Sequence, residues 1–85
     1  MTNRRTQLED RLIDFSIKII EICEKLPSQY AAKHLGQQLL RSGTSPALNY
    51  GEAQRAESTK DFIHKMKICL KELHESFIIL KILNR

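Results

Sequence analysis

Residues Gln37 to Arg55 read QQLLRSGTSPALNYGEAQR, and the fold turns on whether this stretch is one helix or two. Leu35, Leu39, Ser42, Pro46, Asn49 or Tyr50, and Ala53 recur at the three- and four-residue steps of a helix face. Gly43, Pro46 and Gly51 fall inside that spacing. Against alanine, two interior glycines and a proline cost about 1, 1 and 3 kcal/mol of helix propensity, so periodicity and propensity disagree. In a continuous helix, Pro46 removes the hydrogen bond to the Ser42 carbonyl and bends the axis. Ala31, Ala32, Gly36, Ser42, Gly43, Ser45, Ala47, Gly51 and Ala53 then form a thin central rod that neighbours approach closely. In a broken helix, residues 42–45 form a turn, Ser45 is an N-cap and Pro46 the first helical residue, leaving N–H groups free to meet an anion. The local rules leave both readings open.

Upstream, Leu8, Leu12, Phe15, Ile19, Ile22, Cys23 and Leu26 share one face and predict a first helix from about Gln7 to Lys25. A second apolar row, Ile13, Ile17 and Ile20, lies roughly 130° round that helix. One core does not need both rows: either the helix is wedged between two others of its own chain, or the second row meets another subunit. Pro27 and Ser28 separate it from a second helix over about 28–54, proline being tolerated in a first turn and hostile to a last one. On that second helix Arg41, Ser45, Asn49 and Glu52 sit at one-turn steps near the apolar stripe, which predicts a structural polar network fixing helix register.

Downstream, Ser58-Thr59-Lys60-Asp61 has the spacing of a capping box with aspartate in place of glutamate. It opens a third helix over about 59–83, with Phe62, Met66, Cys69, Leu73, Phe77 and Leu80 as its core stripe. The last turns, Phe77-Ile78-Ile79-Leu80-Lys81-Ile82-Leu83, are apolar almost all round and demand a cover. Ile78, Ile79 and Ile82 therefore join Ile13, Ile17 and Ile20 as candidate oligomer contacts. No segment alternates like a strand, no repeat or low-complexity tract occurs, and the connections are short enough for antiparallel neighbours.

The run Gln38-Leu39-Leu40-Arg41-Ser42-Gly43-Thr44-Ser45-Pro46-Ala47-Leu48-Asn49-Tyr50-Gly51-Glu52-Ala53, followed by Ser58, Lys60-Asp61-Phe62-Ile63-His64-Lys65 and Lys71-Glu72, resembles a known family. This is the group of small bacterial four-helix bundle proteins that includes the ribosomal-RNA intervening-sequence proteins and the accessory variability proteins of diversity-generating retroelements. The resemblance covers most of the chain and implies a continuous second helix kinked near Pro46. It also implies homo-oligomers, pentameric barrels among them, with basic surfaces that in some relatives associate with RNA, DNA or a reverse transcriptase. Relatives run on into a fourth helix, whereas this sequence stops where their third ends.

Eighty-five residues hold one domain, residues 1–85, with a modest core. A composition 41% hydrophobic and 28% charged is that of a folded helical chain, and the net charge of +4 suits an acidic partner. The start, Met1-Thr2-Asn3-Arg4-Arg5-Thr6, leads into a charged amphipathic segment unlike a signal peptide, and no apolar run could cross a bilayer, which predicts a cytoplasmic protein with no membrane partner. Cys23 and Cys69 read as reduced core thiols.

Catalytic patterns are missing. Gly43-Thr44-Ser45-Pro46-Ala47 lacks the second glycine of a nucleophile elbow, and no Glu-x-x-His or His-Glu-x-x-His pair occurs. Cys69 is five residues from both His64 and His74, which sets it about 140° round the helix from each, a poor arrangement for a metal. The expectation is a non-catalytic protein without metal or cofactor. What rises above background is a basic ridge: Lys60, His64, Lys67, Lys71 and His74 follow steps of four, three, four and three and share one helix sector. With no aromatic side chain to stack a base, such a ridge would bind phosphate without regard to base sequence.

The sequence thus predicts an all-α antiparallel up-and-down bundle, three helices of a four-helix pattern. Two functions fit it: an oligomeric nucleic-acid or polyanion binding module, and a protein–protein scaffold or adaptor, for example for a reverse transcriptase, with no nucleic-acid contact.

Overall fold

The computed structural model describes residues 3–85. Met1 and Thr2, the start of the segment read above against a signal peptide, lie outside the described residues. Three helices and no strand are present among the described residues: α1 (Arg4–Lys25), α2 (Tyr30–Ala53) and α3 (Thr59–Leu83).

Helix α1 begins three residues before the expected start at Gln7, because Asn3 caps it: its side-chain oxygen accepts from the Thr6 N–H at 2.9 Å. It ends before Leu26, whose N–H donates to the Cys23 carbonyl, and Pro27 prevents a further turn. Helix α2 begins after Gln29 with no side-chain cap. Ser58 caps α3, its hydroxyl accepting from the Asp61 N–H at 3.0 Å.

The central stretch is one helix, continuous through Pro46. The turn over residues 42–45 and the anion-binding helix start that went with it are not formed. The reason is tertiary. Gly36, Leu39, Ser42, Gly43, Pro46, Tyr50 and Ala53 are all buried, so the segment that propensity disfavours is the one both neighbours press against. Side chains also tie down helix carbonyls: Thr44 Oγ1 donates to Leu40 O at 2.7 Å, and Asn49 Nδ2 to Ser45 O at 3.0 Å. The Pro46 carbonyl accepts from Cys69 Sγ of α3 at 3.4 Å.

Helix α2 is therefore the middle of the molecule. Helices α1 and α3 each run antiparallel to it, and their backbones do not approach one another. This corrects the reading in which α1 is wedged between two helices of its own chain. The α1–α2 seam is close-packed: Ser16 Oγ donates to Gly43 O at 3.2 Å, and Cys23 Sγ to Gly36 O at 3.4 Å. The α2–α3 seam holds a buried pair of hydroxyls, Ser42 and Ser76, 2.9 Å apart. Two small cores string along α2, one of Leu12, Tyr50 and Cys69, the other of Ile19, Leu39 and Ile79. Side chains of α1 and α3 share both cores, and the rings of Phe15 and Phe77 stand edge to face at 6.2 Å.

That arrangement revises the expected core. On α3 the buried residues are Cys69, Ser76 and Ile79, while Phe62 and Phe77 are exposed; on α1, Leu8 and Ile22 are exposed. The stripe is turned because the backbone of α3 packs closely on α2 alone, and the side of it toward α1 is only partly covered. Ile79, expected at an oligomer contact, is instead in the core, since it lies on the α2-facing side with Ser76. Ile13, Ile17, Ile20, Ile78 and Ile82 remain exposed. Cys23 and Cys69 are free thiols, and burial pushes the pKa of each upward.

Candidate nucleic-acid interface

Helix α3 distributes charge by side. Of its three carboxylates, Asp61 and Glu72 share the sector of Ser76 and Ile79, which packs on α2, and Glu75 stands at the border between that sector and the basic side. Two of them are occupied: Arg41 of α2 reaches Glu72 at 3.1 Å and Glu75 at 2.7 Å. Glu52 of α2 takes Lys65 at 3.0 Å, and that hydrogen bond, reinforced by the attraction of the two charges, raises the Lys65 pKa. Lys65 thus belongs to the helix seam and not to the free basic surface.

The opposite side of α3 carries Lys60, His64, Lys67, Lys71 and His74, all exposed. Among the described residues no ion pair engages Lys60, Lys67 or Lys71. Near the start of α3, Thr59, Lys60, Ile63, His64 and Lys67 line a shallow hollow of about 450 Å³, so three of the five ridge residues converge on one concave spot. Such a surface can hold a run of phosphates by charge and by N–H donation, and among its lining residues it presents no Phe, Tyr or Trp ring for a base. Toward the end of α3 the same sector turns apolar with Ile78 and Ile82.

The polar set expected on α2 does not form one network. Asn49 Nδ2 donates to Ser45 Oγ at 3.2 Å, but Arg41 and Glu52 point away to α3 and act as two clamps on it. The partners Glu72 and Glu75 went unnoticed in the sequence. Their signal is the spacing: both fall within a turn of Ser76, on the sector that α2 covers. No group of three or more His, Cys, Asp or Glu side chains that could hold a metal occurs among the described residues. No helix of the described residues is long and apolar enough to cross a membrane.

In class this is a small all-α protein of three helices, with Lys60, Lys67 and Lys71 among its unpaired cations lined up on one outer face of α3. The family model for the 23S rRNA-intervening sequence protein matches residues 5–85, and the chain belongs to that family. It is similar to a crystal structure of a protein of unknown function from the S23 ribosomal protein family of Bacteroides thetaiotaomicron VPI-5482. The two share 32% identity with a TM-score of 0.87 over 98% of this chain and 74% of that one. Among curated proteins none matches.

Proposed function

We propose that this protein is a non-catalytic, self-associating helical module that binds nucleic acid through phosphate, without regard to base sequence, in the bacterial cytoplasm. The observation that carries this reading is the one-sidedness of α3. Two of its three carboxylates are held by Arg41 of α2, while Lys60, Lys67 and Lys71 stand unpaired on the outer face with His64 and His74 between them. Three lysines bind weakly, so self-association matters: each added copy brings another ridge, and linked sites gain avidity. The side of α3 left partly bare toward α1 is the position a fourth helix takes in a square bundle, which favours the four-helix pattern, with α2 kinked at its central proline, over a self-contained three-helix fold.

Fluorescence anisotropy with mixed-sequence RNA and DNA at about 50 mM salt tests this. Binding is expected to both, and to be lost when Lys60, Lys67 and Lys71 are all changed to Glu. No binding by the parent chain, or binding unchanged in the triple variant, refutes it.

A second reading, a scaffold or adaptor for a protein such as a reverse transcriptase, is favoured by the exposed apolar surface of Phe62, Leu70 and Phe77. It predicts that partner capture survives the lysine changes and fails when these apolar residues become charged.

A further inference from the structure

Glu75 has two cations within reach of its place on α3. It follows Lys71 by four residues, which sets the two side chains one above the other and about 40° apart round the helix. No other lysine of α3 lies within one turn of it. Lys71 and Glu75 are thus placed to pair along the helix surface, and a Lys71 so paired would be lost to a phosphate. That pair is not formed. Glu75 Oε2 instead accepts from Arg41 Nη2 at 2.7 Å, across the seam from α2.

Three features decide the competition in favour of Arg41. Its guanidinium is fixed independently of Glu75, because Nη1 donates to both carboxylate oxygens of Glu72, at 3.2 and 3.1 Å, and the Glu72 side chain is only 12% exposed. The planar fork then presents Nη2 to Glu75 with its direction already set, so little further side-chain freedom is lost. Glu72 and Glu75 are also like charges three residues apart, and one cation between them relieves both. Lysine on the N-terminal side of glutamate is, finally, the weaker order for a pair four residues apart.

We infer that Arg41 is a positioning residue for the basic ridge: by drawing Glu75 toward α2 it keeps the Lys71 ammonium free to meet a phosphate. The inference rests on the phosphate-binding reading above and adds to it a residue of another helix that stands outside the ridge. Without Arg41, the Glu75 side chain, 41% exposed at the border of the basic side, has Lys71 as the one lysine of α3 within a turn. Their pair then occupies the end of the lysine row. Lys60 and Lys67 lie two turns or more from Glu75 and keep their contacts.

Fluorescence anisotropy with mixed-sequence RNA at about 50 mM salt, where charge pairs are least screened, tests this with four variants beside the parent. These are Arg41→Ala, Arg41→Ala with Glu75→Gln, Lys71→Ala, and Lys71→Ala with Arg41→Ala. Arg41→Ala is expected to weaken binding about twofold per copy, the strength of the pair that Lys71 must break. Adding Glu75→Gln removes the competitor and should restore the parent affinity. In the Lys71→Ala chain, Arg41→Ala should have no further effect, since the ammonium it keeps free is gone. If Arg41 touches phosphate itself, or acts through net charge alone, its loss adds to that of Lys71, and the inference is overturned. Failure of Glu75→Gln to restore binding overturns it also. So does an Arg41→Ala chain that binds as the parent does, with the ridge left standing when the triple lysine-to-glutamate variant still fails. A parent that does not bind removes the ridge and the inference together. Helix content by circular dichroism is compared first, and Arg41→Gln replaces Arg41→Ala should that chain unfold, with the same outcomes.

Discussion

Replacing Gly43 by alanine separates the two forces that compete in α2. A Cβ built on Gly43 would lie 2.6 Å from Cγ2, 2.7 Å from Cγ1 and 3.0 Å from Cβ of Ile19. Those atoms are the branched root of a side chain only 1% exposed, and a β-branched residue in a helix has one good rotamer. The seam must therefore spread, which also lengthens the Ser16–Gly43 hydrogen bond, now 3.2 Å. Overpacking of this kind costs about 1–3 kcal/mol, while alanine gains about 1 kcal/mol of helix propensity over glycine. Gly51 is the control, on the same helix with nothing within 4 Å of its added Cβ. Gly51→Ala collects the propensity gain alone. The gap between the two variants then isolates the packing cost, about 1–3 kcal/mol, or roughly 4–8 °C in Tm per kcal/mol for a domain of this size. Urea and thermal unfolding followed by circular dichroism measure it, at one protein concentration because self-association stabilises the folded state. The clash has a named partner, so Ile19→Ala should erase the penalty of Gly43→Ala. This cycle is run in the Gly51→Ala background, since Ile19→Ala by itself costs about 2–5 kcal/mol. Equal stability of the two glycine variants, or a penalty that persists without Ile19, would refute the close-packed α1–α2 seam.

Three further outcomes follow from the α2–α3 seam and the thiols. Ser42→Ala and Ser76→Ala each leave one buried hydroxyl without its neighbour and should cost about 1 kcal/mol; because the two lie 2.9 Å apart, the double variant should cost clearly less than the sum, and additive urea midpoints would dismiss the pairing. Arg41→Ala should cost no more than about 1 kcal/mol and less at high salt, its side chain being 57% exposed although Glu72 is only 12% exposed; a loss indifferent to salt would mean that packing, and not charge, is what Arg41 supplies. Burial raises the pKa of Cys23 and Cys69 above the ordinary 9.0, so the unfolded chain ionises first and the folded chain holds more protons. Stability should therefore fall as pH rises past 9.0 toward the raised folded values, with Lys65, itself raised from 10.5 by Glu52, extending the loss at higher pH. Urea midpoints against pH check this, and an equal fall between pH 9 and 10 after both cysteines are changed to serine would assign it elsewhere.

Helix class and number were legible because apolar steps of three and four run through Leu8–Leu26, Leu35–Ala53 and Phe62–Leu80 with clear punctuation between them. The continuity of α2 was not legible from propensity, since what rescues Gly43 and Pro46 is pressure from two other helices. Only the family resemblance leaned the right way. The faces were legible in part. Phe62 and Phe77 were expected in the core because a spacing rule finds the most apolar stripe, whereas burial follows the neighbour, and α3 has one close neighbour. The buried serines show the converse: Ser42 and Ser76 are polar letters in the sequence, yet both are fully buried in the seam, where each hydroxyl has the other as partner. The basic ridge could be read directly, being a matter of period alone. That its cations are unpaired could not, because it depends on Arg41 and α2 occupying the carboxylates of α3.

The central claim is that Lys60, Lys67 and Lys71 meet phosphates, and the salt dependence of nucleic-acid binding addresses it most directly. Three phosphate contacts per copy predict that log Kobs falls against log salt with a slope of about −2 to −3 per bound copy, on RNA and DNA alike and whatever the base sequence. Changing one of these lysines to Ala should reduce that slope by nearly 1. Binding whose affinity holds steady as salt rises, or a slope indifferent to all three lysines, would contradict the account.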